Sequence, residues 1–405
     1  MSTMVNDPRL VGQEAGSTAL GNLRRRLNFA DLGQIPIIIG LGVIWIIFQI
    51  ANPNFLTPGN LTNLLLQMVA MGTASVGIIL VLLLGEIDLS VGSVSGLCGA
   101  IMAVLSVKAG WPGPAAVAAA LAAGALVGTF QGVWVTKVRV PAFVVTLAGF
   151  LGWQGAQLQV LGNTGTVNLR DPFILGLFDT FFSGIWVWVI GIGCVAAYAL
   201  GALWERQQRL NAGLTADSRN AIVIRIVVIG AGVLLACGYV FARDRGVPLA
   251  VAILVGLILV LNTVAKRTMF GRHIYATGGN LEAARRASIN VDRIRITVFA
   301  LCSTVAALAG VLAGSRLLAV NQSSGASDFL LNSIAAAVIG GTSLFGGRGS
   351  VWAALLGALV IQSISNGMDL IGLPSPVKFM ITGAVLLAAV TLDALLRSRR
   401  QATGR

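Results

Sequence analysis

Ten stretches of this chain pass without one charged side chain: residues 34–51, 64–84, 89–107, 111–136, 140–161, 180–204, 246–265, 296–315, 349–368 and 379–392. Most reach the roughly 17 to 25 residues that carry a helix across hydrocarbon. Two further stretches are interrupted: 222–241 holds only Arg225, and 329–347 is uncharged but broken by glycine. Counting them gives about 12 membrane segments, and about 10 without them. Only 11% of the residues are charged, where a soluble domain carries about 25%. Lipid offers backbone groups no hydrogen-bond partners, so runs of this kind fold as helices. The chain is therefore expected to be an all-α polytopic membrane protein. Its 50 glycines suit helices that associate in lipid through close backbone contact.

A net charge of +13 raises nucleic acid as a partner, but the basic residues lie in short clusters between spans, as the positive-inside rule requires of cytoplasmic loops. With the N-terminus inside, only Lys108, Arg170, Arg243, Arg245, Arg316 and Lys378 of the 28 basic residues fall outside. Membrane lipid, not nucleic acid, is the partner this distribution indicates. Both termini are then cytoplasmic and the span number even. Three regions follow: a polar arm, 1–33, ending in Arg24, Arg25 and Arg26; a membrane domain, 34–396; and a cytoplasmic tail, 397–405. No cleavable signal peptide precedes the first span, which is expected to insert uncleaved.

Catalytic chemistry finds no foothold. The one histidine, His273, lies in the basic loop 266–295, so no triad base or HExxH zinc site is present, and no metal site is expected. Gly346-Gly347-Arg348-Gly349-Ser350 lacks the lysine and spacing of a nucleotide-binding Walker loop. Cys98, Cys194, Cys237 and Cys302 sit within apolar segments and read as small packing residues. The chain is not expected to be an enzyme.

Polar punctuation carries more. GEIDLSVGS, 85–93, places Glu86 and Asp88 between two apolar runs. Ionisable groups at membrane depth cost roughly 2.5–3.5 kcal/mol on insertion scales, which makes both functional candidates. Gly85 can end one helix and Asp88 through Ser90 can cap the next, a structural role that needs no substrate contact. In the basic loop, Gly278, Gly279 and Asn280 supply a turn and a cap, and Leu281 through Ala287 is strongly helix-forming. Asn290 with Asp292 ends that helix or caps the next. The outer connection 162–183 reads equally as an interfacial segment or a loop over helix ends. Amides and hydroxyls within the spans, such as Gln67, Gln131, Gln157, Gln362 and Asn366, can bind neutral hydroxyls or bridge neighbouring helices.

A weak internal echo sets residues 85–106 against 340–361. Gly85, Leu89, Gly92, Ser95 and Ala103 match Gly340, Leu344, Gly347, Ser350 and Ala358. Duplication of this kind is common in transporters. The direction of the two copies stays open, since 329–347 can cross fully or re-enter.

Four ordered motifs make a family visible: GEIDLSVGSVSGL at 85–97, GGNLEAARRASINVDRIR at 278–295, IGGTSLFGGRGSVWAALLGAL at 339–359, and the proline-containing final hairpin through LDALL. From about residue 34 to 396 the chain resembles the sugar-type permease subunits of bacterial ATP-binding-cassette (ABC) importers, the ribose, xylose and arabinose branch. Two additional spans around 184–241 resemble xylose permeases most; ribose, arabinose, galactose or an autoinducer are the alternative cargoes, and a stand-alone secondary carrier the alternative class.

The resemblance implies a homodimer in the bacterial cytoplasmic (inner) membrane, two ATPase subunits and an external, periplasmic or lipid-anchored sugar-binding protein. ATP and magnesium would act on the ATPase, with no cofactor on this chain. It assigns ATPase coupling to Gly278, Gly279, Asn280, Glu282, Ala283, Ala284, Arg285 and Ser288. Ser288 stands where the family usually has glycine. It also makes the helix break a pathway element, with Glu86, Asp88, Ser90 and Gly92, and their echo Gly340, Gly341, Thr342 and Ser343, as candidates.

Overall fold

The computed structural model describes residues 35–213 and 218–402. The arm 1–33 and the end of the tail lie outside these residues. Fifteen helices account for most of the described chain, and twelve coincide with the predicted segments. These are α1 (Ile35–Ala51), α2 (Pro58–Leu83), α3 (Val91–Val107), α4 (Gly113–Val133, prolonged by a π-turn, Trp134–Val138) and α5 (Ala142–Leu161). After the short α6 (Pro172–Asp179) come α7 (Ile185–Asn211), α8 (Arg219–Leu235, with a π-turn to Phe241) and α9 (Leu249–Arg267). Two short helices, α10 (Met269–Gly279) and α11 (Leu281–Arg286), precede α12 (Val291–Leu317), α13 (Ser327–Ile339), α14 (Ala353–Leu370) and α15 (Ser375–Ala402). The tail expected from residue 397 thus continues α15 as helix as far as Ala402.

Seven helices are long and apolar enough to cross a membrane, while α1, α3 and α13 are shorter apolar helices. Helix starts follow local chemistry. Pro58 and Pro172 occupy first-turn positions where the absent N–H costs nothing. Asp171 caps α6 by accepting from Phe173 N and Ile174 N.

The centre is formed by α2, α3, α4 and α12, whose contacting faces are small. Gly124, Gly128 and Gly132 lay one side of α4 directly on the backbone of Ser303, Phe299 and Ile296 in α12. An added methyl at any of them would meet main chain, the close approach on which helix association in lipid depends. By contrast, α7 and α8 expose Ile185, Ile192, Leu200, Ile224, Val228 and Leu235, and form a flank suited to lipid.

Two short antiparallel pairs gather the connections at one end. β1 (Thr166–Asn168) pairs with β4 (Ala319–Asn321), and β2 (Phe181–Phe182) with β3 (Val247–Pro248). The same end holds the 51–58 turn, where Asn52 donates to Leu370 O over 2.8 Å. The opposite end carries α10, α11 and the basic residues, and is called here the basic end. Ile37 of α1 lies beside Gly341 there, so the described chain starts and finishes on that side.

Two of the helices, α3 and α13, start inside the bundle rather than at its surface. Glu86 pairs with Arg295, one turn into α12, yet Asp88 lies beside the Cys302 thiol, about 10 Å further along α12 at 1.5 Å per residue. Residues 84–90 therefore climb in extended form, and α3 starts at mid-depth. After α12, β4 and the turn 321–326 descend until Gly325 and Ser324 rest against Gly92 and Gly96 of α3. From there α13 runs to the basic end, with Ala336 against Gly357 and Gly340 against Ala353. The stretch 329–347 is thus neither a full span nor a simple re-entrant loop: its helix runs from inside the bundle to the basic end, where residues 340–347 turn. In the echo, 85–106 and 340–361 both lead from the basic end toward the opposite end, so the two copies run parallel.

Candidate functional site

Three glycine-bearing segments, far apart in sequence, meet at the basic end. Gly85, at φ +79°, ends α2 with a turn that side chains rarely adopt. A methyl there would meet Phe345 O at 3.3 Å. Gly347 N donates to Leu83 O over 2.9 Å. Gly278, at the end of α10, sits so close that a methyl would fall 2.8 Å from Gly347 N and nearer still to Leu83 O. Gly346 closes the knot, within 2.8 Å of Gly85 and 2.6 Å of Gly278 O by the same measure. The helix break, the basic loop and the 340–352 loop are thus one backbone-to-backbone junction. Tyr275 of α10 reinforces it, its hydroxyl donating to Gly349 O over 2.9 Å, and burial pushes the phenol above its usual pKa.

The basic loop folds as expected in outline. Asn280 caps α11 by accepting from Ala283 N over 3.0 Å, and Asn290 caps α12 by accepting from Arg293 N over 3.0 Å. Ala284 is buried, while Glu282 and Arg285 pair on the exposed side at 3.6 Å. The helix is shorter than the 280–288 coupling segment because Ser288 stands at φ +60°, a left-handed position where glycine is the ordinary occupant. Ser288 thus holds a backbone conformation that glycine ordinarily takes.

The break departs from expectation in one respect. Asp88 does not cap α3. The N-cap is Ser90, which makes no side-chain cap bond. Asp88 instead closes a local turn, its Oδ1 accepting from Ser90 N at 2.8 Å and Ser90 Oγ at 2.6 Å. Gln131 of α4 holds the same hydroxyl, Nε2 to Oγ 2.9 Å. The reason is geometric: an Asp two residues before a free N–H satisfies it in an Asx turn before helical dihedrals begin. Glu86 braces the climb through its 2.5 Å ion pair with Arg295, a partner that nothing in the local sequence announces. Beside this pair lies a cleft of about 470 Å³, whose walls include Arg139, Phe143, Arg285 and Asp292.

The remaining candidates divide. Gly92 touches Gly325 at mid-depth. Gly340, Gly341, Thr342 and Ser343 shape the 340–352 loop: Gly341 at φ +100°, Thr342 buried, and Ser343 Oγ accepting from Phe345 N at 3.1 Å. Among the span amides, several bridge helices. Asn60 and Asn366 bond reciprocally at 2.8 and 3.1 Å, and Gln362 donates to Gln67 over 2.8 Å, which joins α2 to α14. Gln157 of α5 does something the sequence did not disclose, donating to both Asn321 O and Ser324 O at 2.9 and 3.0 Å and so fixing the mid-depth turn. Of the cysteines, Cys98, Cys237 and Cys302 are buried, but Cys194 is exposed and does not pack inside the chain.

Comparison with known proteins adds independent findings. Residues 60–390 match the family described as branched-chain amino acid transport system / permease component. The xylose transport system permease protein XylH of Escherichia coli (strain K12) is 40% identical over 352 residues, covering 85% of this chain and 87% of that protein. The protein of the same name from Haemophilus influenzae is 34% identical over 91% of this chain and 98% of its own. The ribose import permease protein RbsC of E. coli (strain K12) is 34% identical over 91% of this chain and 96% of its own. No solved structure matches.

Proposed function

Because this chain belongs to the permease-component family of transport systems, we propose that it is the membrane subunit of an ABC importer and moves a monosaccharide, D-xylose, into the cytoplasm. The observation that carries the mechanism is the glycine junction of Gly85, Gly278 and Gly346. A short helix on the basic end, α11, is joined through α10 to the start of a helix that opens only at mid-depth. Backbone atoms in direct contact cannot slide past one another without separating, so displacement of α10 displaces residues 84–90.

In this reading the basic end is cytoplasmic, both termini included, and the membrane is the bacterial inner membrane. An ATPase subunit docks on α11 around Glu282, Ala283 and Arg285. ATP with magnesium is consumed on that partner, and this chain carries no cofactor. An external sugar-binding protein delivers cargo to the end that bears β1–β4, and a second copy of the chain completes the path. Alternating access follows: closure of the ATPases pushes α11, the junction carries the push to the break, and the mid-depth contact of Gly92 with Gly325 changes.

The sugar is inferred from relatives. Two xylose permeases and a ribose permease align over most of the chain, and the E. coli xylose protein has the higher identity of the two E. coli proteins. The family's own description names branched-chain amino acids. Uptake of labelled xylose into proteoliposomes tests the proposal, with ATPase and binding protein omitted singly and with ribose, arabinose and leucine as competitors. Uptake that needs both partners and yields only to xylose supports it. Uptake by this chain alone would leave a facilitator.

A further inference from the structure

At the end opposite the basic one, the start of α2, the end of α6 and the last turn of α12 enclose a pocket of about 190 Å³. That is below the roughly 300 Å³ at which pockets for drug-sized ligands begin, so its occupant is small. Asn63 and Gln67 line it from α2, Phe178 and Asp179 from α6, Arg316 from α12, and Arg245 from the stretch before β3. Ser315 Oγ donates to Ile174 O over 2.6 Å, which pins α6 to α12 and fixes that wall.

The side chains are oriented as well as gathered. Arg245 stacks on the Phe181 ring at 4.5 Å, donates to Asn63 Oδ1 over 3.0 Å and lies 3.6 Å from the Asp244 carboxylate. Gln67 Oε1 accepts from Gln362 Nε2 over 2.8 Å. Both amide oxygens are thus engaged, which leaves the NH2 groups of Asn63 and Gln67 as donors. The side chains of Arg316 and Asp179 line the same pocket, and neither forms an ion pair or hydrogen bond among the described residues. With Asp244 set against Arg245 and Asp179 against Arg316, the pocket is balanced in charge. An anion entering it would meet the like charge of Asp179. A small, uncharged molecule rich in hydroxyls meets every demand: acceptors for the amides and the guanidinium, donors for the Asp179 carboxylate, and a C–H face for Phe178.

We propose that this pocket is an entry subsite for a monosaccharide, in which Arg316 and Asp179 hold the sugar hydroxyls and Gln67 marks the way inward. Gln67 stands nine residues after Pro58, about 13 Å along α2 from its outer start at 1.5 Å per residue. It also belongs to the amide ladder with Gln362 and Asn366, so the inner wall of the pocket is one end of the polar seam between α2 and α14. The proposal rests on the sugar-importer reading above and adds where in the chain the sugar is first held.

The experiment reads binding without transport. The full chain in lipid nanodiscs, with no partner, is titrated with xylose, ribose and arabinose, and saturation-transfer NMR gives a Kd for each. A monosaccharide should bind, and Arg316→Gln and Asp179→Asn should each raise its Kd about three- to tenfold, the effect of one lost hydrogen bond. Arg243→Gln removes the same charge from the same end but outside the pocket, where Arg243 lies over the Tyr239 ring at 5.2 Å; its Kd should match the parent's. No signal from any of the three sugars, or an unchanged Kd in both pocket variants, overturns the proposal even where the complete importer takes up xylose. Weakened binding in both variants beside a complete importer that moves no sugar overturns the importer reading instead and leaves the pocket standing. Weaker capture of the sugar-binding protein by Arg316→Gln, with the Kd for sugar unchanged in both variants, would make the pocket a docking point for that protein and overturn the subsite.

Discussion

Gly278 and Gly279 are neighbours with opposite surroundings, and substituting each by alanine tests the coupling argument. At Gly278 the new methyl would lie 2.8 Å from Gly347 N and closer to Leu83 O; at Gly279 no atom lies within 4 Å. Neither has a positive φ, so the difference is steric. Overpacking costs about 1–3 kcal/mol where side chains can yield. Here the obstacles are backbone atoms of two other segments, which places Gly278→Ala at the upper end. If the junction transmits the ATPase stroke, that cost falls on the joined state, and the joined population drops by about fivefold to a hundredfold at 1.4 kcal/mol per factor of ten. Gly279→Ala should be neutral, or stabilising by up to about 1 kcal/mol through lower unfolded-state entropy. The assay is the ratio of sugar imported to ATP hydrolysed in proteoliposomes, with thermal unfolding in detergent as a check on folding. Gly278→Ala should assemble with ATPase and hydrolyse ATP while that ratio collapses. A normal ratio in Gly278→Ala would refute transmission through the junction.

Other outcomes follow from single contacts. Ser288→Gly should leave coupling intact or raise Tm, whereas Ser288→Val should cost about 1–2 kcal/mol, because a β-branched residue resists φ +60°; differential scanning of the two reads this directly. Arg295→Gln strands the buried Glu86 carboxylate, a change that costs about 3–5 kcal/mol for fully buried pairs and less here because the arginine is 21% exposed. The double variant with Glu86→Gln should recover much of that loss in a double-mutant cycle. Tyr275→Phe should lose about 1 kcal/mol with its bond to Gly349 O. Since burial raises the Tyr275 pKa, the stability its protonated phenol contributes is fully present below the ordinary phenol range and is lost as pH rises through that range toward the folded-state value, so denaturation midpoints of the parent and Tyr275→Phe should keep their separation from about pH 7 to 9 and converge above about pH 10.

What the sequence disclosed and what it hid divide along physical lines. Uncharged runs announce helices because lipid forces the backbone to satisfy itself, and Asn280 and Asn290 announce caps because capping is a contact within one turn. The mid-depth start of α3 stayed hidden, since 89–107 is equally apolar whether it starts at a surface or inside the bundle. The partnership of Glu86 with Arg295 depends on tertiary folding. Asp88 was ambiguous because cap and Asx turn use the same residue type at neighbouring positions. The turn after β4 did leave a trace: the polar run NQSSGASD precedes an apolar segment too short to span, the pattern of an interrupted helix in transporters.

The α7–α8 flank keeps a small core of its own, Val187, Cys237 and Val247, apart from the main one. Its two helices lean chiefly on each other, and the β2–β3 pair ties its ends together beside α2. Such a hairpin behaves as a module. It can be lengthened, exchanged or fused to another protein without disturbing the half-helices at the centre, which makes the connection at 211–219 the place where a reporter domain belongs.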